Sequence, residues 1–482
     1  MVEKVRAAER ALMGEVPDGA LMQRAAAGLA SVCVTLLGRV YGARVVVLAG
    51  SGDNGGDALY AGQRLAARGA RVTAILTAAR HHEAGLDALR RAGGRVSEDP
   101  AVLDGADLII DGMLGIGGRG GLREPQAGYA ARVADAPGTV VAVDLPSGID
   151  ADTGRVDGPA VRADVTVTFG TYKPGLFADP AASHVGVLER VDIGLGPHVP
   201  EPDLLAYQAA DVAQLLPHRS AESDKYRSGV LGLVAGGPRF TGAAVLACGG
   251  AVRGGAGMVR FASVEQAVAG VRAAWPEAVT TVIRPGRGED VLAAGRVQAW
   301  AIGPGIGTGD DATALLTAVL GTDVPVLVDA DGLTVLAENR ELLEGRSAPT
   351  VLTPHAGELV RLLGDGTDRS QVEAARIEHV RRAAVDLGCV VLLKGSTTLV
   401  AESGHPVRAN ATGTPRLATA GTGDVLTGLI GALLAAGVPA ADAAAAGAYL
   451  HGLAGRLAAE GAPIGAHDVV NALPDAFRSV TG

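Results

Sequence analysis

Arg44-Val-Val-Val-Leu-Ala-Gly-Ser-Gly-Asp-Asn-Gly-Gly-Asp57 decides how the first half of this chain is read. Its β-branched run, bounded by turn residues, reads as a buried strand ending at Leu48. A glycine turn follows, with a helix expected from Ala58. Glycines let the backbone approach a ligand closely, and a helix N-terminus favours an anion. G-x-G alone is weak; Asp53 to Asp57 is more specific, because the Asn54 carbonyl oxygen suits a cation held alongside carboxylates.

Outward from this stretch, residues 1–40 read as two helices, with Leu12, Leu21, Met22, Ala26, Leu29 and Leu36 as the apolar stripe. Runs at 72–76, 108–110 and 140–143 alternate with helical stretches, and strands are expected at 163–169 and 185–192. That alternation predicts an α/β fold with a parallel sheet covered on both faces. Prolines 197, 200, 202 and 217, a helix-like 207–216 and the polar run 219–224 then mark a boundary. The expected domains are 1–215 and 224–482. A second α/β series has strands at 230–234, 298–302, 326–328, 351–352 and 390–393. Ligands of open α/β sheets gather beyond the carboxyl ends of the strands, so the residues there are the candidates.

In the first domain those ends carry Asp111, followed by a glycine-rich loop to Gly121, and Asp144-Leu-Pro-Ser-Gly-Ile-Asp150. Each aspartate alone also reads as a turn or N-cap residue. In the second, Thr419-Ala-Gly-Thr-Gly-Asp-Val-Leu426 turns into an apolar helix. The free amides of such a helix hold an anion, and Asp424 adds a carboxylate able to take a hydroxyl proton, which suits phosphoryl transfer. The plainer alternative is a helix capped by Thr422 or Asp424. Lys394-Gly-Ser-Thr-Thr398 suits nucleotide phosphates. Thr353-Pro-His-Ala-Gly-Glu358 offers His355 and Glu358, or simply a helix capped by Thr353.

The 482 residues exceed one ordinary core. The net charge of -10, without a basic block, argues against nucleic acid. The charged, helical start is not a signal peptide, and the longest mild run, Val425 to Ala440, suits a buried helix rather than a membrane span. Cys33, Cys248 and Cys389 lack metal-ligand spacing, so a soluble protein of a reducing cytosol is expected. The only lysines are 4, 173, 225 and 394; where Arg serves for ordinary charge, a retained Lys points to a compact ammonium in use. The glycine- and alanine-rich helices suggest a homo-oligomer.

Together with Gly170-Thr-Tyr-Lys-Pro-Gly-Leu176, the first-domain segments resemble the NAD(P)H-hydrate epimerase domain of the nicotinamide-nucleotide repair family. The resemblance implies a Rossmann-like three-layer sandwich that interconverts the C6 epimers of hydrated NADH or NADPH, with K+ bound. Carried over by position, Asn54, Asp111 and Ser147 serve potassium. Asp53, Asn54, Gly55, Gly56, Asp57, Gly115, Ile116, Gly117, Gly118, Arg119, Gly120, Gly121 and Asp144 contact the dinucleotide, and Asp144 is the acid/base candidate. Asp53 and Ala58 stand where Asn and Gly are common.

The second half resembles the ribokinase-like NAD(P)H-hydrate dehydratase of the same family, through the Gly236 to Ala243 loop, Gly303 to Gly307, Thr353 to Glu358, Lys394 to Thr398, Asn410-Ala-Thr-Gly and Ala418 to Leu426. It implies Mg2+ and ADP, or ATP, phosphorylating the C6 hydroxyl of the S epimer, after which phosphate leaves. Lys394, Gly395, Ser396, Thr397, Thr398 and Gly423 then bind the nucleotide, while Ala243, Gly305, His355 and Asp424 line the hydrate pocket, with Asp424 catalytic. Thr414 stands where Asn is frequent. Two other readings stay open: a small-molecule hydroxyl kinase whose product keeps its phosphate, and a first half that binds without turnover.

Overall fold

The computed structural model describes residues 2–199, 201–217 and 229–482; the polar run 219–224, Lys225 and the expected domain start at 224 lie outside them. The chain forms two compact units, Met1–Asp203 and Leu204–Gly482.

In the first unit the β-branched runs become β1 (Arg44–Ala49), β2 (Arg71–Leu76), β3 (Arg95–Val96), β4 (Leu108–Gly112), β5 (Thr139–Val143), β6 (Val165–Phe169) and β7 (Val187–Val191). They form one sheet of order β3-β2-β1-β4-β5-β6-β7, with every neighbouring pair parallel. Alternate residues of each strand enter opposite cores: Val45, Val47, Ile110 and Val143 one, Val46, Leu48, Ile109 and Ala142 the other. Three helices frame the sheet's ligand-binding edge: α1 (Val2–Met13), α2 (Ala20–Leu37) and α3 (Asp53–Ala67). Among the described residues, α2 is long and apolar enough to cross a membrane. Here its Leu21, Ala25, Leu29 and Cys33 are buried in the core. The helix expected from Ala58 begins instead at Asp53, with Gly52 as N-cap. Asp53 to Asp57 are therefore its first five residues, among which Gly55 abuts the Gly50 carbonyl with no space for a side chain.

The second unit holds β8 (Leu204–Ala206), β9 (Val230–Val234), β10 (Met258–Ser263), β11 (Val279–Val282), β12 (Ala299–Ile302), β13 (Val326–Val328), β14 (Thr350–Leu352), β15 (Val390–Leu393), β16 (Thr398–Ala401) and β17 (Val407–Asn410). Their order is β11-β10-β9-β12-β13-β14-β15-β16-β17-β8. The pairs from β11 to β15 are parallel, and β16 runs antiparallel to both neighbours. The first expected domain, drawn to 215, takes in residues that belong here. Leu204 pairs with Val407, and the helix Ala209–Leu215 packs on the second unit. A three-residue strand carries too little pattern to be read before its distant partner is known.

At the centre of the second core, the helix Thr422–Ala435 crosses the helix Thr241–Arg253 almost backbone to backbone. A methyl on Gly428 would stand 1.9 Å from the Ala247 carbonyl oxygen, and one on Gly250 would stand 2.1 Å from that of Val425. The small residues that suggested an oligomer interface are thus used inside the domain. Gly428→Ala forces these helices apart, and we expect a loss of about 1–3 kcal/mol, the usual cost of overpacking. Denaturant unfolding of the second domain measures it; an unchanged midpoint contradicts the close crossing.

Candidate active sites

In the first domain, Asp144 sits just beyond β5 with φ 67, a conformation that non-glycine residues rarely hold. Its Oδ1 accepts hydrogen bonds from Thr168 Oγ1 at 3.1 Å, from the Phe169 amide at 3.2 Å, and from Lys173 Nζ. Lys173 is 1% exposed, and its ammonium also donates to Thr168 Oγ1 and the Phe169 carbonyl, each at 3.0 Å. This buried ion pair is hydrogen-bonded at every turn, which is what offsets the cost of removing both charges from water.

Beside it, Asp111 at the end of β4 accepts from Ser147 Oγ at 2.7 Å, the Ser147 amide at 2.8 Å and the Met113 amide at 3.2 Å. Complete burial pushes its carboxyl up to about 6 against those hydrogen bonds. Asn54 Nδ2 donates to the Val143 carbonyl at 2.6 Å and the Leu114 carbonyl at 3.1 Å. Gly115 lies against this amide, so close that a methyl there would stand 2.4 Å from Asn54 Oδ1. Asn54, Asp111, Ser147 and Gly115 are therefore one cluster. The loop beyond diverges from it: Ile116, Gly117, Gly118, Arg119 and Gly120 line a separate cavity of about 500 Å³ with Arg6 and Arg155. Gly121 packs on the Asp157 and Gly158 backbone. Asp53 and Asp57 line a third space, of about 260 Å³.

In the second domain the strand ends assemble a charged centre. Asp329, one residue past β13 and 1% exposed, accepts from Lys394 Nζ at 2.5 Å and from Thr427 Oγ1 at 2.6 Å. Burial works against the Lys394 charge, but Asp329, Glu358 and Asp424 outweigh it and keep the ammonium protonated. Asp424 lies in the first turn of the helix Thr422–Ala435, whose N-cap is Gly421 at φ 89 with no side-chain cap. Neither alternative cap forms: Thr422 Oγ1 donates to the Leu417 and Thr419 carbonyls, the Asp424 and Val425 amides donate to the Gly421 carbonyl, and the Asp424 carboxylate makes no capping bond. Burial first, then Asp329, pushes Asp424 up to about 7, with Lys394 pulling the other way. Gly423 sits over this pair, its Cβ position 3.4 Å from Lys394 Nζ.

The surrounding loops close in on that centre. Arg376, 5% exposed, donates from one nitrogen to the Lys394 carbonyl at 2.8 Å, Leu393 at 3.3 Å and Thr397 at 3.4 Å, curling the loop around its guanidinium. Gly395 and Ser396 are exposed, Thr397 is buried, and Thr398 opens β16. Gly305 and Ala243 meet, with a methyl on Gly305 falling 3.1 Å from Ala243 Cβ. His355, not Thr353, caps the helix Ala356–Leu363. Its Nδ1 accepts from the Gly357 and Glu358 amides at 3.0 and 3.2 Å, while Glu358 Oε2 accepts from the His355 amide at 2.8 Å. Thr353 is buried, and its hydroxyl reaches back to the Val328 carbonyl at 3.4 Å.

The sequence reading assigned no role to Lys173, Asp329, Thr427 or Arg376. Lysine scarcity flagged Lys173 and Lys394, and the position of Asp329 directly after the expected strand 326–328 was the signal for it. His451 was also unread: its buried ring, pushed down to about 4 by burial, donates from Nε2 to the Thr422 carbonyl at 2.9 Å.

Fold and site define an α/β enzyme with a Rossmann-like domain bearing a buried acid cluster, joined to a ribokinase-like domain built for phosphoryl transfer. Residues 231–474 match the family described as NAD(P)H-hydrate dehydratase, and residues 18–175 match that described as YjeF-related protein N-terminus. The chain is 49% identical over 440 residues to the bifunctional NAD(P)H-hydrate repair enzyme of Mycobacterium leprae, covering 90% of this chain and 88% of that one. It is 37% identical to the enzyme of the same name from Moorella thermoacetica, covering 82% and 79%. Among solved structures, the ADP/ATP-dependent NAD(P)H-hydrate dehydratase of Bacillus subtilis, co-crystallized with ATP and Mg2+, is similar at 30% identity and a TM-score of 0.52, covering 57% of this chain and 97% of that one. A ribokinase-like superfamily protein of Enterococcus faecalis shares the fold at 23% identity and a TM-score of 0.52, covering 58% and 98%. The chain belongs to the bifunctional NAD(P)H-hydrate repair enzyme family.

Removing one member of the buried pair leaves the other charge stranded. Lys173→Met is expected to cost the first domain about 3–5 kcal/mol, and adding Asp144→Leu to recover most of it. Denaturant titration of the two variants checks this; equal loss in both refutes the account.

Proposed function

We propose that the chain repairs hydrated NADH and NADPH in two steps. The first domain interconverts the R and S hydrates, and the second uses ADP to dehydrate the S hydrate, releasing AMP and phosphate. The observation that carries this reading is Asp424, poised near neutrality beside Lys394 at the open start of a helix. The Asp424 carboxylate takes the C6 hydroxyl proton, and that oxygen attacks the terminal phosphorus of ADP as the bond to AMP breaks. Lys394 and the helix amides hold the phosphoryl oxygens. The C6–O bond then breaks, the ring nitrogen's electron pair supports the cation, and loss of a C5 proton restores the dihydronicotinamide. Lys394 to Thr398 and Gly423 serve the nucleotide, and Ala243, Gly305 and His355 the hydrate.

Magnesium, when bound, neutralises charge on the transferring phosphoryl group. Asp329 is committed to Lys394 and Thr427, Asp331 accepts from the Gly307 amide, and no metal-holding group of three acidic, His or Cys residues forms among the described residues. Magnesium is therefore assigned to the nucleotide phosphates rather than to a protein cage. Potassium fits the first domain better. The contacts of Asp111 are all hydroxyl and amide donors, with no basic side chain among them, and Asn54 and Ser147 add neutral oxygens. A bound monovalent cation supplies that missing counter-charge, while Asp144 carries the proton transfer of epimerisation. The buried, unpaired cysteines accord with a cytosolic setting.

With the S hydrate of NADH, ADP and magnesium, NADH absorbance and inorganic phosphate are expected to rise together; a stable phosphorylated product would favour the plain kinase. Asp424 works as the carboxylate, so the rate falls as pH drops below about 7 and levels off above it. Asp424→Ala removes that limb and lowers dehydration roughly 10²- to 10⁴-fold, leaving epimerisation intact. Asp144→Ala does the converse. Replacing K+ by tetramethylammonium slows epimerisation of the pure R hydrate and leaves dehydration unchanged; equal effects on both activities contradict the assignment.

A further inference from the structure

A carboxyl group lies in the first domain in a place where folding alone gives no reason for one. Asp57, the fifth residue of α3, is 7% exposed, and its buried Oδ1 has no hydrogen-bond partner. Leaving a buried polar atom unpaired costs about 1–3 kcal/mol, more for charged groups, so the group is poised for a partner from outside. Asp57 lines the cavity of about 260 Å³ together with Glu9 of α1, Asp53 and His82; the apolar wall includes Met22 and Phe169.

The chemistry of this lining selects its occupant. Asp53, Asp57 and Glu9 repel phosphate, and the volume suits one ring with its substituent rather than a nucleotide. The other cavity is lined by Asp150, Asp152 and Asp157 as well, but it sets Arg6, Arg119 and Arg155 beside the Gly117 to Gly120 loop, whereas no Lys or Arg lines the first. Burial first, then Asp144, Asp53 and Glu9, push Asp57 well above the usual carboxylate range. Glu9 is raised by burial too, with Lys173 opposing and Asp144 reinforcing the rise. Phe169, whose amide donates to Asp144 and whose carbonyl accepts from Lys173, shares this lining with both carboxyls and so links the cavity to the Asp144–Lys173 pair. A primary carboxamide complements a carboxyl in either protonation state: its N–H donates to a carboxylate oxygen, and its carbonyl also accepts from a protonated one.

We infer that the hydrated nicotinamide ring enters this cavity, its carboxamide pairing with Asp57 and its ring held between Met22 and Phe169, with Glu9 on the facing wall. The inference rests on the epimerase reading and adds to it which end of the dinucleotide lies where. It makes Asp57 a specificity-determining residue for the carboxamide, and α1, through Glu9, part of the substrate site.

The test uses the full chain with two R hydrates: that of NADH, and that of the reduced acetylpyridine dinucleotide, whose methyl ketone has no N–H to donate. Wild-type enzyme is expected to prefer the carboxamide hydrate roughly 10- to 100-fold in kcat/KM, as losing a hydrogen bond to a charged partner implies. Asp57→Leu, of similar bulk, is expected to abolish that preference, mainly through a higher KM for the carboxamide hydrate. Its melting temperature should be unchanged or higher, since an unpaired buried carboxyl has been removed. Glu9→Gln is expected to slow both hydrates alike. Equal handling of the two hydrates by wild type overturns the inference while leaving epimerisation standing. A preference that survives Asp57→Leu overturns it as well. No turnover of either hydrate by wild type instead sinks the epimerase reading itself.

Discussion

A charge taken out of water must find a partner, and both sites are organised by that constraint. Each domain places an aspartate just past a strand of its parallel sheet, buries it, and reaches it with one of the few lysines: Asp144 with Lys173, and Asp329 with Lys394. The two pairs differ in what surrounds them. Lys173 is enclosed on all sides by acceptors, so it is a fixed support for Asp144. Lys394 is 23% exposed and faces Asp424 and the start of a helix, so its charge remains usable by a ligand.

The same constraint separates the carboxylates by role. Asp329 has its oxygens satisfied by Lys394 and Thr427, which spends it as a positioning group. Asp424 is pushed up to about 7, first by burial and then by Asp329, with Lys394 opposing, so it titrates near neutral pH. In the first domain three donors converge on Asp144 Oδ1, Asp111 has hydrogen bonds but no counter-charge, and Asp57 has an oxygen with neither. That gradation, rather than the number of acidic groups, sets the three carboxyls apart.

Much of this was legible in advance. The strands at 44–48, 108–110, 140–143, 230–234 and 390–393 were readable because buried parallel strands are continuous apolar runs with turn residues at their ends. Asn54, Asp111, Asp144 and Lys394 stood out as candidates because they follow strand ends, and Asp424 because it follows a small-residue turn at a helix start. Elements with weak local pattern were not readable: β8 is three residues long, and its partner β17 lies about two hundred residues away. The alternative of a threonine cap fails at both helices for one reason. Thr353 and Thr422 have cap-like chemistry, but their hydroxyls are drawn to nearby carbonyls, leaving the caps to His355 and Gly421.

By itself the sequence determined the α/β class, the presence of two domains, and the main strands with the residues at their ends. All of these follow from local periodicity and from the small set of residues that tolerate turns. Only the tertiary structure decided which acidic groups are paired, which are stranded, and which face open space. Those properties depend on burial and on contacts between distant segments, such as Lys394 with Asp329 or Glu9 of α1 facing Asp57 of α3. A side chain's protonation and hydrogen bonding are set by what folding brings next to it, and no run of neighbouring residues encodes that.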